Sequence, residues 1–342
     1  MTTTLIALGA NLGDRLGNLQ QALALLDRTP GVWVKTRSRW FSTAPIGGPA
    51  GQAEFVNAAA RVETALSPLQ MLAVLHDVEA ELGRQRRQRW AARCVDLDLL
   101  LFDDLVLRTP ELELPHPRMA FRRFVLEPAA EVAADLIHPV IGWTIGQLLG
   151  HLNSAPNYLA VTGVPGVGKT DLARHVAAAA ASRFIADSDA DSDAGLPGPD
   201  SAPAQPLGAE RARWRRRAKL LARQNWTAEG PVVISDFWMG QSLAYSRLWP
   251  DQRQRAEFAA ECQRDVISAG RPRTTGGALL RPVKPKLLVL LDAPQIPDRW
   301  ETVRAELRRL VFQRGNGPML ELDASRPDAA LVELRAAVEA MR

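Results

Sequence analysis

A glycine-rich segment near the middle of the 342-residue chain constrains its fold more than any other feature. It follows an apolar run at 158–162, precedes a stretch predicted to be helical, and reads Gly163-Val-Pro-Gly-Val-Gly-Lys-Thr170. This pattern in this context is typical of a phosphate-binding loop, in which backbone N–H groups and a helix N-terminus hold phosphates. Lys169 would reach the β/γ-phosphate oxygens and Thr170 would hold Mg²⁺. The segment therefore predicts an ATP site formed by Gly163, Gly166, Gly168, Lys169 and Thr170.

Apolar runs at 231–235, 286–291 and 319–322 are typical of buried parallel strands. With the long stretches between them, they predict an α/β domain of the P-loop NTPase type with a parallel sheet. The acidic run 187–193 does not fit a calcium loop, because its sixth position holds Ser192 and its twelfth Gly198, where glycine and glutamate are needed. Residues 187–206 are predicted to form a loop.

The first half of the sequence predicts a different architecture. Strand-like runs and helical periodicity alternate in the order β-α-β-β-α-β, which is the ferredoxin-like α+β plan. The predicted strands are 4–9, 32–41, 55–64 and 95–102, and the predicted helices are 16–26, 67–83 and, after the last strand, 118–134. A polar, proline-containing stretch at 153–157 predicts a linker between domains at 1–152 and 158–342.

Composition excludes several classes of protein. The net charge of +4 is too small to indicate nucleic-acid binding by itself, although only five of the 42 basic residues are lysines. Two cysteines do not form a disulfide framework, and no apolar run approaches the ~20 residues of a membrane span. We therefore expect a cytoplasmic protein that binds small molecules and neither nucleic acid nor membrane.

Two aspartates, Asp96 and Asp98, alternate with apolar residues in a predicted strand. Side chains two apart in a strand point to the same face, so the two carboxylates would lie side by side. Their repulsion favours a bound hard cation, and Mg²⁺ commonly joins one or two carboxylates to phosphate oxygens. The alternative is an edge strand that carries two solvent-exposed aspartates.

An arginine-rich segment precedes this pair. It contains a tryptophan, Trp90, that can stack on a planar ring, and five arginines: Arg84, Arg86, Arg87, Arg89 and Arg93. Guanidinium groups match phosphate oxygens, so a triphosphate site is the stronger interpretation of this segment beside the carboxylates. The alternative is a solvated loop in an arginine-rich protein.

Taken together, these motifs carry a resemblance to a known family. The segments Gly9-Ala-Asn-Leu-Gly-Asp14, Thr43-Ala-Pro45, Phe55-Val-Asn57, Asp96-Leu-Asp98 and Pro115-His116, with the arginines described above and Arg122-Arg-Phe124, look like 6-hydroxymethyl-7,8-dihydropterin pyrophosphokinase. The resemblance covers about residues 1–152. It implies transfer of the β,γ-diphosphate of ATP to the pterin hydroxymethyl group, with release of AMP, in folate biosynthesis.

The resemblance also implies roles for individual residues. Asp96 and Asp98 would hold two Mg²⁺ ions, and Arg84 and Arg93 would take part in catalysis. The ATP site would contain His76, Glu79, Arg84, Arg86, Trp90, Arg93, Leu99, His116 and Arg122. The pterin pocket would contain Gly9, Thr43, Ala44, Pro45, Phe55, Asn57, Trp90, Asp96 and Phe124. The sequence departs from some members of the family at Ala44, Phe55 and His76.

The second half resembles deoxynucleoside kinases, although only weakly beyond the phosphate-binding loop. Asp236 follows an apolar strand where the family carries an acidic base, but Phe237 replaces the arginine that often comes next. Arg304, Arg308 and Arg309 are candidates for phosphate contacts or a solvated helix face, and Asp292 for an Mg²⁺ contact or a cap.

Two hypotheses for the second half remain open. It is either an ATP-dependent (deoxy)nucleoside kinase, which would make the chain bifunctional, or a catalytically inactive nucleotide-binding regulatory or scaffold module. A basic helix at 211–223 allows a third hypothesis, nucleic-acid binding, but a surface helix of the kinase-like domain is the better interpretation.

Overall fold

The structure, a computed structural model, describes residues 1–47, 51–84, 92–187, 207–222, 226, 230–267 and 282–342. The chain divides into two units. The first comprises Met1–Asn153 together with Ala336–Arg342, and the second comprises Ser154–Arg335. The C-terminal residues 336–342, which the sequence placed in the second domain, thus belong to the first unit.

The sheet of the first unit has its strands in the order β2-β4-β1-β5, with β3 also paired to β4, and every pairing is antiparallel. A small hairpin, β6-β7, lies outside this sheet. The strands are β1 Thr2–Ala10, β2 Val32–Arg37, β3 Phe41–Thr43, β4 Phe55–Thr64, β5 Asp96–Phe102, β6 Leu107–Arg108 and β7 Glu113–Leu114.

Four helices belong to the first unit: α1 Arg15–Arg28, α2 Pro68–Glu81, α3 Arg123–Ala133 and α4 Ile145–Ser154. Local sequence sets where the first two begin. Asp14 accepts a hydrogen bond from the Gly17 N–H at 3.0 Å, and Ser67 forms a reciprocal capping box with Gln70. The main elements follow the predicted β-α-β-β-α-β order.

The helices lie on both faces of the sheet. Apolar residues of α1 and α2 form one core with Leu8, Leu97 and Leu99. Arg61, on the opposite face of β4, pairs with Asp135 just beyond α3 at 3.2 Å, so α3 covers the other face. Gly9, Asn57 and Asp96 alternate with the core-facing residues, so these three positions share the α3 face.

Two predicted elements are interrupted. The strand expected at 32–41 breaks into β2 and β3, because the Ser38 hydroxyl accepts the Ala59 N–H at 3.0 Å in place of a ladder carbonyl. The helix expected at 118–134 begins only at Arg123, after a 3₁₀ turn at Met119–Phe121, because Arg122 has an extended backbone.

The second unit contains a five-stranded, wholly parallel sheet in the order β12-β11-β8-β10-β9. This is an α/β architecture, as expected from its apolar runs. The sequence did not predict β9, which is short and only partly apolar. The strands are β8 Tyr158–Thr162, β9 Arg183–Ile185, β10 Val233–Ser235, β11 Leu287–Asp292 and β12 Met319–Asp323.

The central strand, β8, is the point from which the connections run in opposite directions, first towards β9 and later towards β11. Ligands of open parallel sheets bind at the carboxyl ends of the strands at such a point. The helices are α5 Lys169–Ala179, α6 Leu207–Leu220, α7 Gln241–Tyr245, α8 Gln252–Ile267, α9 Glu301–Val311 and α10 Pro327–Ala340.

Close packing fixes the loop between β8 and α5. A Cβ atom added at Gly163 would lie 2.3 Å from the Leu291 carbonyl oxygen, so the position accepts only glycine without displacement of the backbone. Among the described residues, no helix is both long enough and apolar enough to cross a membrane.

Candidate functional site

One row of the first sheet brings together three residues that the resemblance assigned to the pterin pocket. Gly9 on β1 pairs with Asn57 on β4 and with Asp96 on β5. Because glycine lacks a side chain, the row has an amide at one end, a carboxylate at the other and a flat gap between them. Asp98 shares the face of Asp96 and pairs with Ala7, another small residue.

The gap at Gly9 depends on the absence of a Cβ atom. A Cβ there would lie 3.0 Å from Asn57 Oδ1 and 3.8 Å from Phe55 Cδ1. The Asn57 Nδ2 group donates to Thr43 Oγ1 at 2.7 Å, which fixes the amide with its oxygen towards Gly9. Asn57 is buried, so its amide is oriented in advance for a polar ring edge.

Two arginines bracket the Asp96 carboxylate. Arg84 Nη1 lies 2.7 Å from Asp96 Oδ1, and Arg93 pairs with the other oxygen. Arg84 also pairs with Glu79, a buried residue of α2. Glu79 Oε1 accepts the Leu97 N–H of the edge strand β5 at 2.8 Å, which ties α2 to the site. Arg84, Arg93, Asp96 and Glu79 thus form one cluster of ion pairs.

The electrostatics of this cluster favour a bound cation. Burial raises the pKa of Asp96, and the neighbouring Asp98 carboxylate raises it further, while Arg93 and Arg84 oppose the shift. Two adjacent carboxylates on one face therefore repel each other and gain from a divalent ion. Among the described residues, no group of three or more histidine, cysteine, aspartate or glutamate side chains could hold a metal.

Asn11 holds the segment that carries Arg93. Its Oδ1 accepts the Arg93 N–H at 2.7 Å, and its own N–H donates to the Arg93 carbonyl at 3.0 Å. Asn11 Nδ2 also donates to Gln52 Oε1 at 3.1 Å. The sequence contained this asparagine in a matching motif, but the contact with Arg93 is visible only in the structure.

A second basic group lies after the β7 strand. His116 Nδ1 accepts the Arg118 N–H at 3.2 Å, which leaves Nε2 as the donor. Burial, followed by the charges of Arg122 and Arg118, lowers the pKa of His116 to about 3, so the imidazole is neutral at pH 7. The Arg122 guanidinium carbon lies 5.5 Å from the centre of the Phe124 ring. A neutral N–H donor and an arginine suit phosphate oxygens.

For the remaining predicted residues of the first site, the structure gives the location and burial of each. His76 is half-buried on α2, Pro45 is half-buried and Ala44 exposed just after β3. The Leu99 side chain lies in the core on the face opposite Asp96 and Asp98, so only its backbone is available to that face. Arg86 and Trp90 lie outside the described residues.

The second site forms at the carboxyl ends of β8, β9 and β10. Lys169 Nζ donates to the Val164 carbonyl at 2.8 Å, within the glycine-rich loop. Thr170 Oγ1 donates to Asp236 Oδ2 at 2.6 Å. Burial lowers the pKa of Lys169 to about 8, partly offset by Asp236 and Asp187. The structure thus joins Lys169, Thr170 and Asp236, which sequence reasoning found separately.

Two residues of this second site were missed. Asp187, just beyond β9, donates its N–H to Asp236 Oδ1 at 2.7 Å. Arg217 of α6, only 2% exposed, grips the Asp187 carboxylate through Nε at 2.7 Å and Nη2 at 2.5 Å. Arg217 was predicted to belong to a surface helix, and an arginine-dense sequence gives no signal that this one is buried.

The arginines proposed for phosphate contacts on α9 have partners within their own unit. Arg304 Nε donates to Asp292 at 2.8 Å, and Arg308 pairs with Asp292 at 2.7 Å and with Glu321. Arg309 pairs with Glu306 at 2.8 Å on the surface. Asp292, at the end of β11, is therefore neutralised by two arginines.

Comparison with known proteins identifies the first unit. The family model described as 7,8-dihydro-6-hydroxymethylpterin-pyrophosphokinase matches residues 5–134. A 2-amino-4-hydroxy-6-hydroxymethyldihydropteridine pyrophosphokinase of Bacillus subtilis is 46% identical over 131 residues, 38% of this chain and 78% of that protein. The protein of the same name from Synechocystis is 39% identical over 144 residues, 42% of this chain and 73% of that protein.

Solved structures resemble this chain only weakly. The match to a solved structure of a deoxyadenosine kinase from M. mycoides covers 52% of this chain and 95% of that protein's chain. The two chains are 11% identical in sequence, and the TM-score is 0.36. Similarity at that level assigns neither fold nor activity. The matched first unit makes the protein an enzyme, a pyrophosphokinase of folate biosynthesis, and the chain belongs to the 7,8-dihydro-6-hydroxymethylpterin-pyrophosphokinase family.

Proposed function

We propose that the row Asn57–Gly9–Asp96 is where the first unit joins its two substrates. The pterin ring would lie in the gap at Gly9, with its polar edge against the Asn57 amide and its faces against Phe55 and Phe124. Its hydroxymethyl group would then point towards Asp96. This arrangement is the single observation that best supports transfer from ATP to the pterin.

The diphosphate would be held on the Asp96 side of the row. Asp96 and Asp98 would hold Mg²⁺, with two ions expected, and Mg²⁺ would neutralise the charge that develops on the phosphate oxygens. Arg84, Arg93, His116 and Arg122 would hold ATP phosphates. The hydroxymethyl oxygen would bond to the β-phosphorus as the bond from that phosphorus to the α-phosphate oxygen breaks. AMP would leave with the electron pair of the broken bond, and the hydroxyl proton would pass to solvent water. The protein contributes chiefly positioning and charge.

Arg84 and Arg93 must change partners in this scheme. Both pair with Asp96, the carboxylate proposed to bind Mg²⁺. Binding of ATP would offer phosphate oxygens to the guanidinium groups and free the carboxylate for the metal. Substrate binding would therefore complete the site.

The test is pterin-dependent AMP formation by wild-type chain and Asp96→Ala. We expect a loss of at least ~1,000-fold, because the substitution removes a carboxylate to which the metal and both arginines are directed. Asp104→Ala, which changes an exposed aspartate just beyond β5, is the matched control and should retain activity. Activity that survives in Asp96→Ala would contradict the metal assignment.

For the second unit we propose an ATP-dependent (deoxy)nucleoside kinase-like function. The glycine-rich loop and Lys169 would hold the ATP phosphates, and Thr170 would hold Mg²⁺. Asp236 would accept the proton of the nucleoside hydroxyl. The 2.6 Å contact between Thr170 and Asp236 supports this assignment, since it places the proposed base beside the proposed metal ligand.

Product analysis distinguishes the kinase from the alternative, a nucleotide-binding module without catalysis. The full chain is incubated with MgATP and each nucleoside in turn, and ADP is measured in the wild type and in Lys169→Ala. Nucleoside-dependent ADP that disappears in Lys169→Ala supports the kinase. Nucleotide binding without ADP from any nucleoside favours the module.

A further inference from the structure

Among the residues that the structure describes, Arg217 is the most deeply buried cation that the proposed chemistry does not use. Its side chain is 2% exposed. Besides the two bonds to Asp187, Nη1 donates to Ser242 Oγ at 2.6 Å and lies 3.4 Å from Glu210 Oε1. A buried charge is costly unless it is paired and hydrogen-bonded. All three nitrogens of this guanidinium have hydrogen-bond partners, so the surrounding residues hold the side chain in one orientation.

The contacts of Arg217 continue to the phosphate-binding loop. Asp187 also contacts Asp236 through its backbone, because its N–H donates to Asp236 Oδ1 at 2.7 Å. The other oxygen of Asp236 accepts the Thr170 hydroxyl at 2.6 Å. A chain of hydrogen bonds therefore runs from α6 through the ends of β9 and β10 to the start of α5.

The guanidinium lies at the centre of a cluster of charges. Arg217 contacts both Asp187 and Glu210, while Arg213 pairs with Glu210 at 2.8 Å and the Lys169 charge interacts with Asp236 and Asp187. The Arg217 charge and its hydrogen bond lower the pKa of Asp187 against the opposing effect of burial. Without Arg217, the half-buried Asp187 carboxylate would lose the two hydrogen bonds that hold it in place and could turn towards solvent.

We propose that Arg217 is a positioning residue of the second site. By fixing Asp187, it aims the Asp187 N–H at Asp236 and holds Asp236 against Thr170, so that Mg²⁺-dependent nucleotide binding depends on a side chain of α6. This inference deepens the proposed function of the second unit and rests on it.

The experiment measures binding of a fluorescent ATP analogue to the full chain, with and without Mg²⁺. The same chain with Lys169→Ala defines the signal that belongs to the first unit, and the difference reports the second site. We expect Arg217→Met to lower the Mg²⁺ enhancement of that difference at least tenfold while metal-free binding stays within twofold. Arg215→Gln is the matched control, because Arg215 lies on the same helix but pairs with Glu261 at the surface.

Two further measurements keep the outcome decisive. Pterin-dependent AMP formation shows that the first unit is folded, and thermal unfolding shows whether the second is. If Arg217→Met unfolds the second unit, Arg217→Lys, which keeps the charge but not the two-pronged grip, should show a partial loss. Wild-type Mg²⁺ dependence in either folded variant overturns the proposal.

The kinase hypothesis can be contradicted while the positioning role of Arg217 is supported. Absence of ADP with every nucleoside contradicts the kinase, whereas a selective loss of Mg²⁺ enhancement in Arg217→Met still supports the positioning role. Absence of any Lys169-dependent nucleotide binding in the wild type overturns both.

Discussion

The two units place the charged groups of their proposed sites in opposite ways. In the first, the proposed site lies on the face of an antiparallel sheet, along the row Asn57–Gly9–Asp96. In the second, the proposed site lies at the carboxyl ends of the parallel strands β8, β9 and β10. A face offers alternate side chains of neighbouring strands and suits a flat ring, whereas an edge offers backbone N–H groups and helix N-termini, which suit phosphates. The comparison teaches that the sheet type decides which part of the chain meets the ligand.

The largest expected effect tests whether the two sites are independent. Asp96→Asn should abolish pterin-dependent AMP formation, with at least a ~1,000-fold loss, and leave nucleotide binding at Lys169 unchanged. Lys169→Ala should do the reverse. Parallel assays of AMP formation and of analogue binding check both. Loss of both functions in either variant would show that the sites are coupled.

Gly163→Ala tests how closely the edge site is packed. The new Cβ would meet the Leu291 carbonyl oxygen at 2.3 Å, and that backbone oxygen cannot move without disturbing β11. We expect about 2 kcal/mol of destabilisation in chemical unfolding of the second unit. Gly208→Ala is the control, since a Cβ there meets nothing within 4 Å. Equal stability of the two variants would argue against the close packing.

Gly9→Ala tests the gap on the sheet face. Its Cβ would lie 3.0 Å from the Asn57 amide oxygen, a contact that a small shift can relieve. The fold should therefore survive while the pterin KM rises about tenfold, because the ring loses its place, and the ATP KM stays within twofold. Gly150→Ala, where a Cβ meets nothing within 4 Å, is the control. A rise in the ATP KM alone would contradict the assignment of the gap to the pterin.

The last prediction concerns the folding stability of the first unit in acid. Burial lowers the pKa of His138 to about 4, and its Nδ1 accepts the Ile141 N–H at 3.2 Å. The unfolded chain binds this proton below about pH 6.5, so folding stability falls as the pH drops from there towards 4, by about 2 kcal/mol at pH 5. His138→Asn, which keeps an acceptor, should reduce this dependence by the share of His138 in unfolding experiments between pH 7 and 5, while the share of His116, whose pKa is also lowered, stays. The exposed His175→Gln is the control and should not.

Sequence reasoning succeeded where a short segment carries its own chemistry. The alternation of Asp96 and Asp98, the glycine-rich loop and the caps at Asp14 and Ser67 all depend on neighbours within a few residues, so they could be predicted. The predicted element boundaries were wrong at two places. A side-chain hydrogen bond of Ser38 interrupts the predicted strand, and the extended backbone of Arg122 delays the start of the predicted helix. The short strand β9 lacks a strong local pattern and was missed.

The sequence by itself determined the two architectures, the two phosphate-binding patterns and the residue types available to each site. Only the tertiary structure decided which residues meet. Gly9, Asn57 and Asp96 come from three separate strands, and Arg217 reaches Asp187 across 30 positions. The reason is physical: strand register and the burial of a charge depend on contacts between distant segments, which local propensity and spacing do not encode.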